Sequence, residues 1–194
     1  MIDQLKDNFK TFETQLNGSS KSSWHELRKE AFEIFTQNGF PKVKDEEYRY
    51  THITRALEKS INFSDFSPVI KSPKFDEKPV FHDADALHIY VTNGVVNREK
   101  LAELNLNGLD IITIKTATEK YPDEVATHFG KYADVKKDPF TAFNMAFSYE
   151  GVFIKIHKNT ILDKPVIIHY STDQESPINI FQSRNLVLVE QHRF

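Results

Sequence analysis

The chain contains no cysteine. Disulfides, a thiol nucleophile and thiolate ligation of a metal by this chain are therefore excluded. Glycine is scarce, with six in 194 residues, and none is spaced for a G-x-x-x-x-G-K-[ST] phosphate loop or a G-x-S-x-G nucleophile elbow. Nucleotide hydrolysis and serine-hydrolase chemistry lack their usual signatures. No apolar run approaches the roughly 20 residues that a membrane-crossing helix needs. The opening "MIDQLKDNFK" has no signal-peptide apolar core, so a cytoplasmic chain without membrane contact is expected. Neither sign of charge dominates: a net charge of −3 and a pI near 6.2 leave no basic footprint for nucleic acid.

Phenylalanine, by contrast, is abundant, at 16 residues. Ile2, Leu5, Phe9, Phe12 and Leu16 recur at steps of three and four, which predicts an amphipathic helix over residues 2–16. "NGSSKSS" reads as a flexible joint. Ser23 with Glu26 reads as a capping box opening a second helix, and Gly39 followed by Pro41 closes it. The rings at 9, 12, 32 and 35 are expected in the core. A short helix over Thr51–Leu57 and a surface loop over 58–80 are expected next. "LHIYV" alternates as a strand, Asn93-Gly94 supplies a hairpin turn, and Leu101 and Leu104 suit a short helix. "LDIITI" suits a second strand, and Pro122 suits the first residue of a helix running toward Phe129. From Gly151 onward three short apolar segments, "VFIKI", "VIIHY" and "NLVLV", follow one another with no intervening helix. That recurrence fits a parallel β-helix or a sandwich.

Candidate chemistry is sparse. His25-Glu26 begins like the zinc motif H-E-x-x-H, but Lys29 stands where the second histidine belongs. His157 and His169 could share a metal from adjacent strands; outward-facing side chains are the simpler expectation. The carboxylates of Asp45-Glu46-Glu47 and of Asp83 with Asp85 read as solvated charge. In "GFPKVKDEEYRYT", Tyr48, Arg49 and Tyr50 read as a clamp docking the segment after the second helix, since arginine stacks on aromatic faces.

Two stretches together resemble the SufB/SufD family of iron–sulfur cluster assembly proteins, on its SufD side. "GFPKVKDEEYRYT" is similar to the family's glycine-hydrophobe-proline followed by E-E-W-K/R-Y-T, with Tyr48 in place of the usual tryptophan. "DPFTAFNMAFSYEGVFIKIHKNTILDKPVIIHY" is similar to its D-P-F-x-A-L-N segment and the strands that follow, and "IYVTNGVV" to its strand-plus-Asn-Gly element. The motif positions are Pro41, Glu47, Tyr48, Arg49, Tyr50, Thr51, Asp138, Pro139, Phe140, Asn144 and Gly151. All are expected to be structural or partner-contacting, with no catalytic or metal-binding residue among them.

The resemblance implies an α+β fold: an N-terminal helical and mixed domain over 1–137, then the first rungs of a right-handed parallel β-helix over 138–194. It implies a non-catalytic scaffold subunit that works with SufB and the ATPase SufC, the iron–sulfur cluster belonging to the full assembly and no cofactor to this chain. The absence of cysteine fits a subunit whose partner carries the sulfur. Because the family's proteins are longer, the SufC-docking helices and a late histidine at a candidate metal site are expected outside this sequence. An N-terminal fragment with an open C-terminal edge, able to self-associate, is the corresponding expectation. The alternative class is a β-helix enzyme acting on acidic polysaccharide.

Overall fold

The computed structural model describes residues 1–16, 22–61, 63, 73–75, 80–104, 106–172 and 180–191. Most of the expected 58–80 loop and most of the expected joint after residue 16 lie outside them. The chain divides into two compact units, Met1–Val69 with Gly130–Ser148, and Ile70–Phe129 with Tyr149–Phe194.

The first unit is helical. Helix α1 (Ile2–Gln15) buries Leu5, Phe9 and Phe12, the stripe its spacing predicts. Helix α2 (Ser23–Asn38) is capped by Ser22, whose hydroxyl accepts from His25 N at 3.2 Å. The cap therefore sits one residue before the expected Ser23. Glu26 is not its reciprocal partner but pairs with Lys29 at 3.3 Å. Gly39, at φ 71°, ends the helix in the left-handed region, and its N–H bonds to Phe35 O. A 3-10 turn (Glu46–Tyr48) and helix α3 (Ile53–Ser60) follow, the latter two residues later than expected.

Helix α7 (Pro139–Phe147) belongs to this unit, although three helices of the second unit precede it in the chain. A helix forms where a lead-in to strands is expected, because Asp138 caps it and Pro139 occupies its first position, where a missing N–H costs nothing. Its aromatic residues complete the core. Phe9 stacks on Phe32 with centroids 4.0 Å apart, and the Phe147 ring stands edge-on to both at 5.7 Å. At the far end of α7, Ser148 accepts from the Arg28 Nε at 2.8 Å through its carbonyl, and from the Trp24 indole N–H at 3.1 Å through its hydroxyl. The Arg28 guanidinium lies 4.1 Å from the Trp24 ring centre, so a fully buried cation is held by an aromatic face and a carbonyl.

The second unit is built on two three-stranded sheets. β1 (Leu87–Thr92) turns at Asn93-Gly94 into β2 (Val95–Val96); φ values of 51° and 76° give the tight hairpin that the pair predicts. α4 (Arg98–Glu103), β3 (Leu109–Thr113), α5 (Ile114–Lys120) and α6 (Pro122–His128) follow. The three late apolar segments are strands β4 (Val152–Ile156), β5 (Val166–Ser171) and β6 (Leu186–Val189).

Their pairing corrects the expected fold. β5 joins β1 in parallel, in the order β2-β1-β5, while β4 lies between antiparallel β3 and parallel β6. No parallel β-helix is present among the described residues. The physical reason is that strands from earlier in the chain take the neighbouring positions. β3 satisfies one edge of β4, and β1 draws β5 into the other sheet. Ile89, Val91 and Val96 of one sheet and Leu109, Ile111, Val152 and Ile154 of the other then bury one shared core. The segments have the apolar content of rungs, but mixed pairing, which their sequence does not encode, decides the architecture.

Candidate functional site

The two motif stretches meet at one joint in the first unit. The 3-10 turn presents Tyr48, and the N-terminus of α7 presents Asp138, 90 residues later. The Tyr48 hydroxyl donates to Asp138 Oδ1 at 2.6 Å. Asp138 Oδ2 accepts from Thr141 N at 2.6 Å and from Thr141 Oγ1 at 2.7 Å, so one carboxylate both caps the helix and ties down the turn. The Tyr48 ring also packs on Phe140, with centroids 5.8 Å apart.

The electrostatics follow from this geometry. The hydrogen bond to Asp138, with burial and the negative charge beside it, pushes the Tyr48 hydroxyl up to about 12. Burial works to raise Asp138, but the bonds from Tyr48 and Thr141 outweigh it and hold the carboxyl below its ordinary value. At neutral pH the joint is thus a neutral phenol donating to a carboxylate.

The other motif residues surround the joint unevenly. Pro41 is buried, and its carbonyl accepts from Thr54 Oγ1 at 2.6 Å, which ties the segment before the turn to α3. Thr51 closes the turn, its N–H bonding to Tyr48 O at 3.0 Å. Arg49 is exposed, 5.7 Å from the ring centre of Tyr50, which is 89% exposed. Among the described residues, Tyr48 is the one of the three clamp residues whose side chain is hydrogen-bonded to the body of the unit. Asn144 is half-buried on α7. Glu47 lines a cleft of about 390 Å³ beside the joint, together with Lys42, Lys44, Asp45, Lys136 and Lys137. Asp45 turns back to accept from Lys42 N at 2.8 Å, holding the start of the cleft's rim.

Gly151 lies in the second unit, where β4 begins. A Cβ there would fall 1.9 Å from Arg184 O and 2.6 Å from Arg184 C. The glycine is required by the close approach of two backbones. Beside it the buried Glu150 carboxylate accepts from Val96 N at 2.9 Å and from the Arg98 guanidinium at 2.5 Å.

Sequence reasoning missed two further polar constellations in this unit. Asp110 gathers Lys120 at 2.9 Å, His157 Nε2 at 2.8 Å and the Tyr121 hydroxyl. Burial works to raise Asp110, but these bonds hold it far below the ordinary carboxylate range. Lys155, on β4, is 8% exposed and bridges Glu124 at 2.7 Å and Glu190 at 3.1 Å. Its bond to Glu124 raises its pKa against the opposing effect of burial. The only sequence signal for either was a charged residue interrupting an apolar strand, Asp110 in "LDIITI" and Lys155 in "VFIKI".

His157 and His169 do not converge. His157 is held by Asp110, whereas His169 lies on β5 in the other sheet; it alternates with Val166 and Ile168, which pack on the core, so it stands on the face away from that core and is nonetheless buried. Among the described residues no group of three or more His, Cys, Asp or Glu is placed to hold a metal ion. None of the described helices is long and apolar enough to cross a membrane.

A tyrosine–aspartate tie, a helix cap shared with it and a glycine fixed by backbone contact are architectural devices. They define a protein whose diagnostic residues build its frame. The family model described as the SufBD protein N-terminal region matches residues 1–168, and the chain belongs to the SufB/SufD family. That membership places it in SUF iron–sulfur cluster assembly at the level of the family. No curated protein shows a significant match to the chain.

Proposed function

We propose that the chain is the N-terminal region of a SufD-type subunit that serves iron–sulfur cluster assembly as a non-catalytic scaffold, with SufB and SufC as its partners in the cytoplasm. The observation that carries this reading is the family match over residues 1–168, within which both motif stretches fall. The motif residues at the Tyr48–Asp138 joint and at Gly151 hold backbone and side chains in place, as expected of a scaffold. Within the family, the likeness of the Gly39–Thr51 and Asp138–Tyr170 stretches to the SufD pattern supports the SufD side. In this reading the cluster is cargo of the complex and not a resident cofactor of these residues.

Depleting the protein in cells tests the reading. Activities of iron–sulfur enzymes should fall while their polypeptides persist, and the purified chain given ATP should release no phosphate. Unchanged iron–sulfur enzyme activity on depletion, or ATP turnover by the chain alone, would remove the basis for the proposal.

A further inference from the structure

Four of the six glycines follow an asparagine, at Asn17-Gly18, Asn38-Gly39, Asn93-Gly94 and Asn107-Gly108. Asparagine is a chemically labile residue, and most so before glycine. Glycine has no side chain to shield its nitrogen from the neighbouring carboxamide, and it accepts either sign of φ. The four pairs are alike in sequence, so only their settings can rank them.

The structure separates those it describes. Asn38 ends α2, and the Gly39 nitrogen is committed to Phe35 O at 2.7 Å. Asn93 sits in the β1–β2 hairpin at 3% exposure, its own N–H bonded to Ser171 O at 3.0 Å. Asn17-Gly18 lies outside the described residues.

Asn107 differs from both. It is exposed in the turn that enters β3, which Leu109 N closes onto Leu106 O at 3.3 Å. Among the described residues, neither the Asn107 side chain, nor its carbonyl, nor the Gly108 N–H makes a hydrogen bond. Nothing but the chain on either side therefore orients the peptide that joins them. Because Gly108 tolerates both signs of φ, that peptide can rotate until Gly108 N faces Asn107 Cγ.

The fold also requires the glycine. Gly108 has φ 78°, and Thr160 occupies the space that a Cβ would fill. Its carbonyl accepts from His157 N at 2.9 Å and from Thr160 Oγ1 at 3.1 Å. Packing thus demands the residue that leaves Asn107 reactive.

We propose that Asn107 is a site of spontaneous covalent modification, the most reactive of the described Asn-Gly pairs in the folded chain. Gly108 N, on losing its proton, attacks Asn107 Cγ. A carbon–nitrogen bond forms, the side-chain amide bond breaks, and the amide nitrogen leaves as ammonia. The cyclic imide then takes up one water and opens at either carbonyl, leaving an aspartyl or an isoaspartyl linkage at position 107. No electron is transferred. Both products add a negative charge, and the isoaspartyl form lengthens the backbone of the turn. That displaces the Gly108 carbonyl from His157 and Thr160, just beyond the Leu109–Ile156 pair of β3 and β4. The inference stands apart from the scaffold reading.

Prolonged incubation of the whole chain at mildly alkaline pH, folded and in denaturant, tests it. Peptide mapping by mass spectrometry reads the conversion of amide to acid, and enzymatic carboxyl methylation reads the isoaspartyl form. Folding should slow Asn107 by less than about tenfold, and Asn38 and Asn93 by more, since those two must first open locally. Amide exchange at His157 should quicken as the acid accumulates. Asn107→Gln, an exposed change that keeps the amide, should abolish the conversion in that peptide alone. Asn38 or Asn93 keeping pace with Asn107 in the folded chain would overturn the site. So would protection of Asn107 by more than about tenfold, or undiminished conversion of that peptide in Asn107→Gln.

Discussion

Gly151→Ala is expected to be among the most damaging single-methyl additions in the chain. The new Cβ would start 1.9 Å from Arg184 O, and real Cβ contacts do not fall under 3.0 Å. The strands must open by about 1.1 Å, and the obstacle is backbone, so no side-chain rotation relieves it. The surroundings resist opening. Arg184 N donates to Glu150 O at 3.2 Å, Ile114 N to Gly151 O at 2.9 Å, and Val152 N to Asn185 Oδ1 at 2.8 Å. The separation would break the first of these bonds and strain the last. Each lost bond costs about 1 kcal/mol net, and a buried group left unsatisfied costs about 1–3 kcal/mol. Phe153 and Leu186, paired directly beyond, are buried and would lose contacts as well. A total of about 2–4 kcal/mol is expected. Denaturant unfolding followed by circular dichroism measures it. Amide exchange at Val152 and Arg184 should accelerate in the variant under native conditions. The comparison is Gly39→Ala, where φ is 71° and ψ −167° but nothing lies within 4 Å, so only the backbone cost of about 1–3 kcal/mol applies. A Gly151→Ala protein within about 0.5 kcal/mol of the parent, a range ordinary for surface changes, would refute the reasoning.

Other outcomes follow from the polar joints. Tyr48→Phe keeps the ring on Phe140 but strips Asp138 Oδ1 of its donor, and should cost about 1–2 kcal/mol by thermal unfolding. Asp138→Ala removes the helix cap together with the tie, and should exceed Tyr48→Phe by about 1 kcal/mol on the same assay. Because the folded Tyr48 hydroxyl is raised to about 12, its contribution is complete below the ordinary tyrosine pKa near 10 and is lost between there and about 12. Tyr48→Phe should accordingly flatten the alkaline limb of the stability curve. Asp110 is displaced in the opposite sense, so its contribution is present above the ordinary aspartate pKa near 3.9 and is lost as pH falls below it. Stability curves from pH 2 to 7 should therefore show a shallower acid limb in Asp110→Asn than in the parent.

Local order was legible where one periodicity or one turn settles the matter. The stripe from Leu5 to Phe12, the Asn93-Gly94 hairpin and the helix opening at Pro122 rest on contacts within a few residues, and the structure has all three. Ser22 rather than Ser23 caps α2 because adjacent serines are chemically equal and only the backbone conformation distinguishes them. Helix α7 carries a readable local signal, an aspartate before a proline with a threonine three residues on, within a stretch whose family likeness is to a segment leading into strands. The sheets were not legible, because β4 and β5 look alike in sequence yet take partners from different earlier strands. The Tyr48–Asp138 joint was half legible: both residues stood out, but nothing local joins positions 90 apart.

Native co-purification tests the central claim most directly. The protein carrying this sequence, tagged at its own locus and isolated gently, should elute with SufB and SufC in fixed proportion. Elution free of both, under conditions that keep SufB and SufC together, would contradict the account.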